Sequence, residues 1–448
     1  MECNAAYIER KAMAAGFDEA VAEVFAGRTS YLKIANAKID SIVTMDERNA
    51  FLFVTKSKRV FRTNIDRIEP GSVGRAIERA KLGVARSVPK DDYYGIADGP
   101  FRYGAARKPD RAIAEYDDST LVDVAQSAIN AATAHGADGV AGTLIMATGS
   151  AEIETSGGVS ARDDSASARL SLRAFRGGLS AQSIAVATRM RGLDPDATAA
   201  KTVEYIRMAS GFGRIRSGTY DVIYAQQPAG LLLSMVNEMA CIGSVETGGF
   251  LTGKLGEEIA DRNVMLYDDG KSADLVGSGR FDAEGHPTQR NRLIGGGRLL
   301  TYLHNHSTSV KYKTESTGNA GLVMPGPNEM ALEHGNMKKS LDSLVRSVDR
   351  GVLVTNTWYT RFSNYLTGDF STVPRDIAVY IEHGEPRFAI KQLQVSSATG
   401  IRISDNMIRM LKAMSRAAND TVQTASWDSD SSFKTPSVLV EGVKITTA

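Results

Sequence analysis

The run Ala229–Phe250 (AGLLLSMVNEMACIGSVETGGF) constrains the fold more than any other segment. It opens on the most apolar stretch of the chain, Ala229 to Met235, and closes on Gly248 and Gly249. Leu232, Met235, Val236 and Met239 recur at i, i+3, i+4 and i+7, which predicts a helix with that stripe packed in a core. Upstream, Tyr220–Tyr224 alternates as a strand does, and Gln226-Gln227-Pro228 reads as the turn between them. A strand end feeding a buried helix is a rigid place to mount chemistry. The helix is interrupted by Asn237 and Glu238 and is too short to span a bilayer.

Around this element the pattern predicts an α+β protein in three parts. Residues 1–104 read as an N-terminal antiparallel sheet covered by helices. Its helices are Ala5–Ala15, stopped by Gly16, and one capped by Ser72 with Val73, Ile77, Ala80 and Val84 inward. Strand-like runs lie between them at Ala20–Ala26, Ser30–Ile34, Lys38–Val43 and Ala50–Thr55. Lys90–Asp110, rich in Gly and Pro, is the expected linker. Residues 105–215 read as a middle α/β domain with a helix at Ser119–His135. Short strands follow at Thr143–Thr148, Glu152–Thr155, Arg169–Ala174 and Ala185–Thr188, then a helix opened by Asp194-Pro195. Residues 216–448 form a strand-rich C-terminal domain. Its strands include Val352–Thr355, Ile377–Glu382 and Ser437–Ile445, with one helix capped by Asn336 and ended by Gly351.

Balance of charge narrows the function classes. Fifty-three Lys and Arg face 52 Asp and Glu in a chain of 448 residues, for a net charge of +1. Extensive contact with nucleic acid normally leaves a basic excess, so that class is disfavoured. Cys3 and Cys241 are the only cysteines, too few for a disulfide framework or a cysteine-based zinc site. No basic segment leads into an apolar core at the N-terminus, so no secretion signal and no membrane association are expected. The expected location is the cytoplasm.

Metal hydrolysis needs three protein ligands and a carboxylate nearby to move protons. None of the six histidines sits in an HExxH or HExxxH string. His304 and His306 flank Asn305, and on a strand both imidazoles would share a face and could reach one metal. No third ligand has recognisable spacing, and two polar strand residues is the simpler reading. Gly248–Lys254 (GGFLTGK) nearly spells a phosphate-binding loop, but Leu255 follows where a magnesium-binding hydroxyl is required. Glu238 reads as a carboxylate paired within the buried helix, Met235 and Met239 as core packing. His334 and His383 read as turn or strand-end residues, and Ser234 has no evident His/Asp partners.

Taken in order, Phe281–Leu303 (FDAEGHPTQRNRLIGGGRLLTYL), Ser316–Ala320 (STGNA) and Thr367–Ser371 (TGDFS) resemble the TldD/PmbA family, within it the PmbA (TldE) branch. Lys38–Val54 and the Ser72 helix are similar too, so the resemblance runs over nearly the whole chain. It implies two kinds of subunit. The TldD kind carries HExxxH on the helix after an Ala-Gly-x-Leu-Leu lead-in, and a cysteine near its C-terminus. Here the lead-in stands as Ala229–Leu233, and Ser234, Met235 and Met239 occupy the three motif positions. No cysteine occurs in Asn419–Ala448.

The resemblance therefore implies a subunit with no catalytic, cofactor or metal residues of its own. Zinc is expected in a TldD-type partner, with which this chain would form a heterodimeric metalloprotease acting on unfolded or leader peptides; a homodimer is the other assembly. Two readings from other classes stand beside it: a stand-alone metallopeptidase with an unrecognised site, such as one at His304 and His306, and a regulator of DNA gyrase.

Overall fold

The computed structural model describes residues 3–104, 108–390 and 400–447. Residues 105–107 of the expected linker, and the boundary at 104/105 with them, fall outside that set. The chain is mixed helix and strand, as the periodicity predicts, and its strands fall into two large bodies.

The first body is a six-stranded antiparallel sheet in the order β3-β2-β1-β4-β5-β6. Its strands are β1 (Glu19–Ala35), β2 (Lys38–Lys56), β3 (Arg59–Ile65), β4 (Gly139–Thr155), β5 (Ser160–Arg176) and β6 (Leu179–Ala187). Strands β1 and β4 pair from Val21↔Thr155 to Ile34↔Gly142, so the segments before and after the linker share one sheet. The runs expected as separate short strands are continuous. Polar stretches such as Asp46–Asn49 do not end a strand whose backbone is paired residue by residue with a neighbour. Within this pairing Gly27 faces Gly149, and a Cβ on Gly27 would lie 2.8 Å from the Thr148 carbonyl.

Helices α1 (Ala5–Ala14) and α2 (Pro70–Arg86) bury Ile8, Ala12, Val73, Ile77 and Val84 against β1–β3. Helix α2 starts at Pro70 with Glu69 at its cap position, three residues before the Ser72 cap expected from the sequence. Proline at the first helical position needs no amide partner, so it extends the start. The one-turn α3 (Arg111–Ala114), α4 (Asp118–Ala134) and α5 (Pro195–Arg207) cover the distal part through Leu121, Ala125, Ile129 and Ala199. Asp194 caps α5 by accepting from the Ala197 amide at 2.9 Å, as its sequence signal predicts.

The second body holds two sheets. One, of eleven strands, has Gly218–Tyr224 between Arg350–Val354 (parallel) and Val438–Thr447 (antiparallel). The other, of six strands, runs from Arg298–Leu299 through Arg290–Gly295, Val264–Asp269, Met330–His334 and Ser432–Thr435 to Val422–Ala425. Between them lies α6 (Gln226–Ala240), continued after Cys241 by α7 (Ile242–Glu246). The helix expected from Asn336 is a single turn, Leu341–Val345, capped by Ser340. Asn336 instead donates its side-chain amide to the Ser415 carbonyl at 3.0 Å. Among the described residues no helix is long and apolar enough to cross a membrane.

Candidate functional site

Helix α6 begins where the Gly218–Tyr224 strand ends, and Gln226-Gln227-Pro228, expected as a turn, form its first turn. Pro228 at an early helical position costs no hydrogen bond. The helix is buried on nearly every side. Leu232, Val236 and Met239 join Val222, Leu266, Met330 and Val354 in one core that both sheets feed. Gly230 is the point of closest approach, where an added Cβ would overlap the ring of the fully buried Phe433.

Of the three motif positions, Met235 and Met239 are 8% and 9% exposed, their thioethers within that core. Ser234 is half-buried and donates its hydroxyl to the Leu231 carbonyl at 2.9 Å. With Glu238 one turn on, it lines a cleft of 210 Å³ closed by Asn328, Glu329 and Ser431. Glu238 is exposed at that cleft rather than paired inside the helix. Crowding by its surroundings pushes its carboxyl above the ordinary range. Zinc takes imidazole, thiolate or carboxylate donors. Two thioethers and an alcohol already bonded to a carbonyl do not fit it. Among the described residues no three His, Cys, Asp or Glu side chains converge as a metal-binding set.

His304 and His306 are not on a strand. Asn305 caps the helix α8 (His306–Tyr312), its side chain accepting from the Thr308 amide at 2.9 Å. The shared-face argument therefore lapses. His304 is buried against the Tyr312 ring, centroids 5.7 Å apart, and burial lowers its pKa. His334 ends the Met330–His334 strand with its ring nitrogens at the carbonyls of Asn336 and Met414, and His383 sits in a turn beside Asp349. Gly248–Lys254 forms turns whose Phe250 and Leu251 are core residues.

Buried carboxylates dominate the rest of the site, and sequence reasoning missed them. Asp268, fully buried, accepts from the Asn328 amide at 2.6 Å and from the side chains of Asn319 (2.8 Å), Asn328 (3.0 Å) and Asn237 (3.4 Å). It thus ties α6 to the STGNA segment. Asp282 accepts from the amides of Glu284, His286 and Ala320, and Glu284 from that of His306. These bonds account for the FDAEGHP spacing as a brace between loops. Burial, opposed by the bonded amides, leaves the Asp282 carboxyl pushed up to about 6 and that of Glu284 well above its ordinary value. The available signal was an Asp pair ending an apolar strand at Asp268-Asp269, with asparagines scattered far along the chain.

Glu23 on β1 faces the same acids. Burial raises its carboxyl from 4.5 to about 7, with Arg62 opposing and Asp282 adding to the effect. The folded chain then binds this proton more tightly than the unfolded chain, so stability falls as pH rises from about 4.5 to about 7. Glu23→Gln is expected to raise stability above pH 7 by up to about 3 kcal/mol, with no gain below pH 4.5. Thermal melts of both proteins across that range check it.

The sequence profile of the PmbA/TldA metallopeptidase C-terminal domain matches residues 217–447, more than half of the chain. The "Metalloprotease TldD homolog" of Buchnera aphidicola (subsp. Acyrthosiphon pisum) is 30% identical over 148 residues, 31% of this chain and 30% of that protein. The "Metalloprotease PmbA homolog" of Haemophilus influenzae is 27% identical over 201 residues, 44% and 39% respectively. The matched stretches thus span well under half the length of these curated relatives. The crystal structure of TldE from Thermococcus kodakarensis superposes with a TM-score of 0.83 at 22% identity, covering 98% of this chain and 99% of that one. With the profile match over the α6 domain and this likeness of fold from end to end, the chain belongs to the TldD/PmbA metallopeptidase family and is TldE-like in architecture.

Proposed function

We propose that the chain is the TldE-type, non-catalytic subunit of a zinc metalloprotease, working with a TldD-type partner on unfolded or leader peptides. The observation that carries this reading is the donor set on α6. Positions 234, 235 and 239 offer an alcohol and two buried thioethers on a helix otherwise packed as a rigid mount. The family's printed names, metalloprotease TldD and PmbA homologues, supply the chemistry that the partner would bring.

Two features support a role beside such a partner. Strand β6 ends its sheet, paired among the described residues with β5 alone. Away from Ile184, whose carbonyl takes the Thr424 hydroxyl at 2.6 Å, its edge can receive an extended peptide through backbone hydrogen bonds. Around α7 and α8, Val310, Tyr312, Met324 and Leu366 are 44%, 46%, 39% and 64% exposed. They belong to one surface: Tyr312 bonds Glu246 of α7 at 2.9 Å, Met324 packs on Gly243, and Leu366 lies by Gly248. Clustered exposed apolar side chains mark interaction surfaces.

Mixing the purified chain with its TldD-type partner is expected to give a complex of summed mass and to raise cleavage of an unfolded peptide. No change in mass or activity would refute the reading, and a homodimer that leaves the partner unaffected would do so as well. Met324→Glu with Leu366→Glu is expected to weaken the complex about tenfold or more, by burying unpaired charge, while the melting curve of the lone chain stays as it was. Analytical ultracentrifugation reads the shift.

A further inference from the structure

A second cleft lies away from the Ser234 crevice, at the other end of α6. It measures 410 Å³ and is walled by β6, α5, the first turn of α6 and Val422–Ala425, within the size range of small-molecule sites. Apolar atoms make up most of its lining surface, with Ile184, Val186 and Val422 among them, while most of the lining residues also carry a polar or charged group.

Lys201 of α5 is the key group there. Its ammonium donates to Gln226 Oε1 at 2.7 Å, and the same oxygen accepts from the Tyr205 hydroxyl at 3.3 Å. Gln226 Nε2 is tied to the Asp420 carbonyl at 2.9 Å, so the amide is fixed as an acceptor. Among the described residues no carboxylate comes within ion-pairing distance of Lys201. The two nearest acidic groups act only at longer range: Glu204 is exposed, and the Asp420 carboxylate is engaged by the Ser437 amide and hydroxyl, both at 2.8 Å. Burial accordingly pulls the Lys201 ammonium below its ordinary range. The ammonium, over the Tyr205 ring at 5.9 Å, thus has one hydrogen-bond acceptor and only distant acids for counter-charge, an arrangement that an anionic group joining it would stabilise.

Two more groups in the same cleft lack partners. Gln227 Oε1 and Ser183 Oγ are buried and make no hydrogen bond, and both residues line the walls. Buried polar atoms almost always find a partner, so two such atoms in the same cleft as an ammonium with no ion-paired carboxylate mark a place built for a ligand. The acids on the lining are already engaged: Asp194 caps α5, and Asp274 pairs with Lys434 at 3.2 Å. Arg189 and Arg191, both exposed, add positive charge on the lining.

The geometry points to a binding site for a carboxylate on a compact apolar body, the carboxylate seated on Lys201 and its neighbouring donor on Gln227 Oε1. The same chemistry is offered by a small organic acid and by the C-terminal residues of a peptide. The site needs no partner subunit, so its test is independent of the proposed protease role.

Isothermal titration of the full chain with three probes separates the outcomes: 2-hydroxy-4-methylpentanoate, leucyl-leucine with a free carboxylate, and leucyl-leucine amide. Binding of the acid alone assigns the site to small organic acids; binding of the free dipeptide, with or without the acid, assigns it to peptide termini. Lys201→Met is expected to weaken the bound probe about tenfold or more, and Lys201→Arg to retain it. Should Lys201→Met not fold, the contrast between dipeptide acid and amide decides alone. Equal binding of acid and amide, unchanged binding in a folded Lys201→Met, or no binding by either free carboxylate would overturn the assignment.

Discussion

Gly230→Leu is expected to cost about 3 kcal/mol or more, which in a chain of 448 residues lowers the thermal midpoint by roughly 3 °C or more. Two effects compete at this position. Leucine favours a helix over glycine by roughly 0.5–1 kcal/mol, so an unpacked helix would gain from the change. Here the new Cβ would overlap the Phe433 ring, which is fully buried in the Ser432–Thr435 strand and has nowhere to retreat. Overpacking of this kind outweighs propensity. Phe433→Leu added to Gly230→Leu should recover part of the loss, because it removes the opposing ring; a double variant no better than the single would show that the clash is not the cause. The same contact explains the glycine in the Ala229–Leu233 lead-in: the helix can lie this close to the sheet only where it has no side chain.

Asp268→Ala is the second large effect, expected to cost about 3 kcal/mol through stranded donors. The Asn328 amide loses its 2.6 Å acceptor, and the side chains of Asn319 and Asn328 lose bonds of 2.8 and 3.0 Å. Relief of a buried carboxylate, whose pKa burial raises, works in the opposite direction and keeps the loss from being larger. Hydrogen exchange at the Asn328 amide reads the change locally, with protection expected to fall in the variant. Protection left intact at that amide would mean that Asp268 is not its anchor.

How much of this could be read from sequence depended on the range of the forces. The Leu232–Met239 stripe and the Asp194-Pro195 cap are set by neighbours within two turns, and both emerge where their spacing puts them. Of Leu341, Leu344, Val345 and Val348, whose helical spacing predicts an inward stripe, the last three are buried and Leu341 is half-buried. Their helix is shorter because Met337–Lys338 is drawn into a strand beside Met414–Ala418, which no local signal announces. Strands β1, β2 and β4 run through polar stretches because pairing partners far along the chain hold them, as Thr155 holds Val21. Asp268 and its asparagines lie 31 to 60 residues apart, so their convergence is invisible to any window. His304 and His306 share no strand face because Asn305 caps α8, a local signal that the alternation of histidines masks.

The central claim is that α6 mounts no metal in this chain, and zinc analysis of the isolated polypeptide tests it most directly. After dialysis against a weak chelator, zinc well below one ion per chain is expected, together with no hydrolysis of an unfolded peptide until a TldD-type subunit is added. A full equivalent of zinc retained by the lone chain, accompanied by peptide cleavage, would contradict the account.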